Sequence, residues 1–205
     1  MPPRDEQDYE QRRQQIIDGA LEAFSARGFE GASNKAIAEA AGIASPGLIY
    51  HYFKDKVDLL HQVMIERLPV LRLLDEVQRI MELPPDEALP QLAERMIEVY
   101  SRRPAMAIIK VAIAESLRNK RVAHMVSEAM PGRGLRMLSA YLARQMEAGR
   151  LRRMDPDIAA RMLVGPIVAY AVTRFVFEQP EAQAISPEAM ARATVETFLR
   201  GMAPE

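Results

Sequence analysis

Cysteine is absent from the 205 residues, which excludes a disulfide framework and any thiol nucleophile and makes a reducing cytoplasm the simplest compartment. The chain has neither a Gly-rich phosphate loop nor a G-x-S-x-G elbow. Its three histidines, His51, His61 and His124, form no H-x-x-x-H pair, and no E-x-x-H occurs. The ligand patterns of zincins and of di-iron bundles are therefore missing, and no metal, cofactor or enzymatic activity is expected. His124 and Glu128 share a helix face at i, i+4, which reads as a surface pair. A long apolar run is missing too. The most lipid-like stretch, Met162 to Thr173, spans about 12 residues between arginines, against the roughly 20 a membrane-crossing helix needs, and reads as a buried helix. The polar N-terminus carries no signal core. One-signed charge is also lacking: the net charge is −1, so any nucleic-acid contact must be local. Even the first 56 residues hold 7 cations (Arg4, Arg12, Arg13, Arg27, Lys35, Lys54, Lys56) against 9 acids (Asp5, Glu6, Asp8, Glu10, Asp18, Glu22, Glu30, Glu39, Asp55).

Alternation of polar and apolar residues, the mark of a half-buried strand, appears nowhere over a useful length, whereas helical spacing recurs throughout. With 49% apolar and 27% charged residues, the composition is that of an all-α globular protein. Ile16, Ile17, Ala20, Leu21 and Phe24 give a first helix one apolar face, over about residues 9 to 27, and Gly28 should end it. Ser33 is placed to cap a second helix closed by Gly42. Ser45 should cap a third, with Pro46 in the first turn, where its missing N–H costs nothing. Asp55 should cap a fourth, with Leu59, Leu60, Val63 and Met64 inward. Beyond Pro69 the spacing predicts longer helices: one ending near Met81, then about 90 to 102, 104 to 119, 135 to 149 after "MPGRG", 156 to 178 and 187 to 202. Asp155-Pro156 and Ser186-Pro187 open the last two.

Three aromatics and a histidine in four consecutive positions, Tyr50 to Phe53, demand a use. Two short helices joined by "AAGIAS" after a longer supporting helix have the dimensions of a helix-turn-helix, in which one helix braces and the next enters the major groove. The stretch "IIDGALEAFSARGFEGASNKAIAEAAGIASPGLIYHYFKDKVDLL" resembles the DNA-binding region of TetR/AcrR-family transcriptional regulators over about 45 residues. Phe24 and Gly28, Ile37-Ala38, Ala41-Gly42, Gly47, Tyr50-x-Tyr52-Phe53 and Lys56 fill the signature positions. The resemblance implies a homodimeric repressor, with a three-helix DNA-binding domain over residues 1–55 and a larger helical effector-binding and dimerisation domain over 56–205. Ser33, Asn34 and Lys35 then stand where the family has phosphate- or base-touching polar residues. Ser45, Pro46 and Gly47 start the recognition helix. Tyr50 and Tyr52 offer phenols to phosphate oxygens, His51 lies on the outer side, Lys56 adds a cation, and Phe53 is an inward anchor. The bland alternatives are a core tyrosine, a solvated lysine and a Ser33 that only caps.

A repressor needs a dimer surface and an effector cavity. Apolar residues spread around most of the helix from Pro156, so it must be covered on several sides. Ile158, Met162, Val168, Val172 and Phe175, with Val195, Phe198 and Leu199 of the final helix, are the candidates for a twofold interface. Thirteen methionines suit adaptable walls, although methionine at helical spacing is usually core. Met96, Tyr100, Ile109, Ile113, Met137, Tyr141, Tyr170 and Arg174 are the candidate lining, and Arg174 needs a partner that Glu178 at i+4 could equally supply. The expectation is a cytoplasmic regulator released from an operator by a small apolar or amphipathic effector. The rival is a helical carrier or partner-binding module whose N-terminal unit lacks DNA affinity.

Overall fold

The computed structural model describes residues 4–67, 74–128 and 132–204. Among them, all regular structure is helical. Helix α1 (Arg4–Gly31) starts earlier than its apolar face does. Its polar first turns hold together through side-chain pairs one turn apart, Arg13 with Glu10 at 3.2 Å and Gln14 donating to Glu10 at 2.7 Å, the spacing at which helical residues are neighbours. Gly28 breaks the helical path with φ +69°, a conformation open to glycine. Ser33 accepts a hydrogen bond from the Ala36 N–H (3.2 Å) and caps α2 (Asn34–Ala40) as expected, and Gly42 takes φ +65° in the turn that follows. A 3-10 turn over Pro46–Leu48 leads into α3 (Ile49–Tyr52). Here the expectation needs correcting: Ser45 stands at the cap position without a side-chain cap bond, and the turn is closed by Leu48 N–H donating to the Ser45 carbonyl at 3.1 Å. Asp55 caps α4 (Lys56–Arg67) by accepting from the Asp58 N–H at 2.8 Å.

The remaining helices are α5 (Leu74–Ile80), α6 (Pro85–Ser101), α7 (Arg103–Ser116), α8 (Lys120–Ser127), α9 (Arg133–Glu147), α10 (Pro156–Ala171), α11 (Pro180–Ala184) and α12 (Pro187–Gly201). The Met130-Pro131 step and Pro69 lie outside the described residues. Helix α6 begins at Pro85 rather than near Pro90. Pro85 in the first turn followed by Asp86 and Glu87, which suit the positive end of the helix dipole, is the stronger start signal. The sequence reading gives no bounds for α8, although it sets His124 and Glu128 on one helix face, and the short α11 goes unforeseen because it is too brief for its period to show. Asp155 and Ser186 cap α10 and α12 as expected. Helix α10 runs on through a π turn over Val172–Val176, sealed by Phe177 N–H donating to the Val172 carbonyl at 3.0 Å.

The chain divides into two compact units, residues 1–68 with 107–129, and residues 69–106 with 130–205. In the first, α1 packs against α2 and α4, and α8 packs against α4. Ile16, Ile17, Phe24, Ile37, Ile49, Phe53, Leu59, Leu60 and Val63 form its interior, none more than 2% exposed. In the second, Leu89 and Ile97 of α6, Leu138 and Leu142 of α9, Leu163 and Ile167 of α10, and Val195 and Phe198 of α12 converge in one core. The 21 residues of Pro156–Val176, which include an 18-residue window of mean hydropathy 1.4, are long and apolar enough to cross a bilayer by length and composition. The span matches the helix expected over about 156 to 178, and it takes in Arg161 and Arg174, the arginines that bound the 12-residue apolar run. Ala159, Ala160, Leu163 and Ile167 nevertheless sit in the core of the second unit.

Candidate nucleic-acid interface

The recognition segment is only a 3-10 turn and one α turn, too short to hold itself together. Ile49 and Phe53, each 2% exposed, fix its inner side. The Tyr52 ring lies 4.7 Å from the Tyr9 ring on α1, and the Arg13 guanidinium sits 5.7 Å over the Phe53 ring. The outer side is left with Ser45, Pro46, Gly47, Tyr50 and His51 exposed. A Cβ at Gly47 would meet only Ser45 Oγ, at an ordinary 3.6 Å. Nothing in the chain itself therefore requires glycine there.

Helix α2 presents Asn34 and Lys35 beside this segment. Asn34 Nδ2 donates to the Tyr50 phenol oxygen at 2.6 Å. With its oxygen accepting, the 57%-exposed phenol keeps its O–H free to donate outward. Lys35 is 81% exposed, with Glu39 at 4.0 Å, an exposed pair that binds its charge weakly. Ser33 caps, so its oxygen already has a partner within α2.

Lys56 is placed differently from the expectation of a cation reaching outward. Its ammonium donates to the Glu30 carbonyl at 3.3 Å and lies 4.6 Å from the Phe29 ring centroid, closing off the end of α1. Burial pushes its pKa down, partly offset by Glu30 and Glu115. Lys54, absent from the residues expected at the interface, has an exposed side chain. The signal was available in the Lys-Asp-Lys alternation: the middle acid caps α4, which leaves the flanking lysines to point apart.

Part of the acidic charge of the N-terminal residues is paired: Glu10 with Arg13, Asp18 with Arg67 and Asp55 with Arg121. Glu66 of α4 accepts from Arg13 and from Gln14 (2.7 Å), and Arg67 donates to Asp18 (2.7 Å) and Gln14 (2.6 Å). Burial pushes the Glu66 carboxyl up, but Arg13 and Gln14 outweigh it and hold the pKa below the usual range. Asp55 is likewise held low: the Asp58 N–H and the Arg121 guanidinium, 2.6 Å away, overcome the effect of burial.

The candidate effector residues divide between the two units. Ile109 (7% exposed) and Ile113 (44% exposed) belong to the first unit. Met96, Tyr100 and Met137 pack against the core of the second. Tyr141 is fully buried there, donates to the Leu83 carbonyl at 2.9 Å, and has its pKa pushed up to about 12 by burial. Tyr170 donates to the Ile185 carbonyl at 2.7 Å. Arg174 finds its partners in the carbonyls of Ala182, Gln183 and Ile185, at 2.7 to 3.0 Å, around the end of α11. The Tyr141 and Tyr170 hydroxyls and Arg174 Nη1 are occupied in holding backbone, which sequence spacing could not reveal, while Arg174 Nε is buried without a hydrogen-bond partner among the described residues.

Of the dimer candidates, Ile158 and Met162 are 52% and 53% exposed, while Val168, Val172, Phe175 and Leu199 are partly buried. Val195 and Phe198 are 2% and 7% exposed and lie in the core of their own unit. They are corrected from interface to interior, because the face of α12 carrying Ala191, Thr194, Val195 and Phe198 turns inward as one stripe.

Comparison with known proteins gives two family matches. Residues 16–63 match the bacterial regulatory proteins of the tetR family, and residues 87–203 match the C-terminal domain of AefR-like transcriptional repressors. The HTH-type transcriptional regulator UidR of Escherichia coli K12 is 28% identical over 153 residues, 73% of this chain and 72% of that one. PksA of Bacillus subtilis, also an HTH-type transcriptional regulator, is 28% identical over 172 residues, 78% and 82%. Among solved structures, a TetR-family regulator from Mesorhizobium loti superposes with a TM-score of 0.76 at 25% identity, covering 94% of this chain and 96% of that one. FadR of Bacillus subtilis, solved with stearoyl-CoA, has a TM-score of 0.72 at 22% identity, covering 92% and 98%, a likeness of fold.

Proposed function

The chain belongs to the TetR family of bacterial transcriptional regulators, and from that premise we propose how its parts divide the work. Residues 1–55 read a DNA operator as half of a homodimer, and residues 56–205 bind the effector and the partner subunit. Ser45, Pro46, Gly47, Tyr50 and His51 face the groove, with Lys35 and Asn34 beside them and Tyr52 at the edge. The observation that carries this assignment is the Asn34–Tyr50 contact of 2.6 Å, in which the phenol oxygen accepts and leaves its O–H to donate, as a phosphate oxygen needs. Lys56 serves by holding the end of α1 against the start of α4.

Dimerisation uses the exposed side of α10 around Ile158 and Met162, and twofold symmetry sets two recognition helices about one DNA turn, roughly 34 Å, apart. The effector is a small apolar or amphipathic molecule, in keeping with the stearoyl-CoA bound to FadR. It lowers operator affinity by favouring a conformation whose recognition helices no longer match successive grooves, to the extent that it binds the two states differently. The chain acts by binding rather than by catalysis, in the cytoplasm.

A gel-shift experiment with the DNA upstream of its own gene tests the assignment. Dimeric protein should retard that fragment at low salt, and Tyr50→Phe should weaken retardation about 10-fold or more, the worth of a hydrogen bond to a charged group. Long-chain acyl-CoA should release the complex if the effector is of that class. No retardation of any duplex by dimeric protein would refute the proposal.

A further inference from the structure

The recognition unit leaves an electrostatic gap. Phosphate neutralisation supplies much of the affinity of DNA-binding proteins, yet Lys56 is turned toward Glu30 and Phe29. Among residues 33–56, Lys35 and Lys54 remain as exposed cations. The corner between α7 and α8, which belongs to the same compact unit, carries Arg118, Lys120 and Arg121 in four residues.

Several contacts fix this corner beside the start of α4. Val122, 0% exposed, anchors α8, which packs against α4. Asn119 caps α8 by accepting from the Arg121 and Val122 N–H groups at 3.1 and 3.4 Å. The helix end is thus satisfied internally, and what the corner offers outward is its side chains. Arg121 Nη1 lies 2.6 Å from Asp55 Oδ2, and Asp55 stands between Lys54 and Lys56, just beyond the recognition helix. Arg121 therefore cancels an acid that would otherwise repel the DNA backbone. Its neighbours Arg118 and Lys120 are exposed and have no side-chain partner among the described residues. After Asp55 pairs with Arg121, and with Lys56 set against Glu115, Lys54, Arg118 and Lys120 outnumber Asp58, so the balance around Asp55 is positive.

We infer that Arg118 and Lys120 extend the DNA-binding surface beyond the helix-turn-helix, gripping backbone phosphates next to those met by Lys54, with the Arg121–Asp55 pair holding the corner in place. The inference rests on the DNA-binding assignment above, and the experiment separates the two. Dissociation constants for the operator fragment and for random duplex are measured from 50 to 300 mM KCl with the full dimeric protein, wild type and Arg118→Gln/Lys120→Gln. Removing one cation from a phosphate should flatten the plot of log K against log salt by about 0.9. A side chain removed from both subunits should then flatten it by about 1.8, and the double variant by up to about twice that. Binding should weaken equally on operator and random DNA, with far-UV circular dichroism and melting temperature unchanged. Arg153→Gln, an exposed cation of the other unit, should keep the wild-type slope. A double variant with the wild-type slope, or an equal flattening by Arg153→Gln, overturns the inference and leaves the DNA-binding assignment standing. Wild-type protein that binds no duplex overturns both.

Discussion

Replacing Gly19 with alanine tests the packing beneath the recognition helix. In an exposed helix interior this change stabilises by about 0.8 to 1.0 kcal/mol, because glycine loses more backbone entropy than alanine. Gly19 is buried in α1. A Cβ built there would lie 2.4 Å from the backbone nitrogen of Ala41 and 2.7 Å from its Cα and Cβ. Backbone atoms cannot rotate aside, and ordinary contact begins near 3.4 Å, so α1 and the end of α2 must separate by about 1 Å. Overpacking of this kind costs about 1 to 3 kcal/mol, and a clash with main chain belongs at the upper end. Subtracting the propensity gain leaves a net loss of about 1 to 2 kcal/mol. The displaced α2 also carries Asn34 away from Tyr50, so operator binding should fall further than stability alone implies. Urea unfolding followed by circular dichroism, with gel shift on the same samples, measures both. The sign decides: Gly19→Ala that is more stable than wild type refutes the close approach of α1 and α2.

Tyr9→Ala removes the ring 4.7 Å from Tyr52 and should weaken operator binding about 2- to 10-fold, the worth of one aromatic pair; Tyr9→Phe should bind as wild type, and the salt slope should not change because the ring neutralises no phosphate. Glutamate at both Ile158 and Met162, each about half exposed, should yield monomers of unchanged helix content in sedimentation and abolish nanomolar operator binding; persistent dimers would move the interface elsewhere. Acid should destabilise the first unit in a defined window. The Glu66 and Asp55 pKa values are lowered by folding, so their stabilisation is complete above the ordinary carboxylate values of about 4 and is lost as pH falls through the lower folded values. The urea midpoint should therefore drop below about pH 4, and Glu66→Gln should start lower at pH 7 and lose less on acidification.

Much of this was legible in the chain because it depends on neighbours in sequence. Ser33, Asp55, Asp155 and Ser186 cap helices through N–H groups two or three residues away, so side-chain type and spacing suffice. The period of Ile16, Ile17, Ala20 and Phe24 sets a buried face whatever covers it. The five-residue α11 escaped and the bounds of α8 were not read, because such short segments show no period, whereas the equally short α2 was marked by Ser33 and Gly42.

The sequence by itself determined an all-helical chain, its main caps and turns and the two short helices joined by a glycine turn, because hydrophobic period and capping are local properties, while the residues expected on the outer face came from the family resemblance. Only the tertiary structure decided which way Lys56 turns, that Val195 and Phe198 are interior, that Tyr141, Tyr170 and Arg174 are bound to carbonyls, and that Arg121 reaches Asp55 across 66 positions. Each of these depends on a partner distant in sequence, and a side chain's partner is fixed by how helices pack.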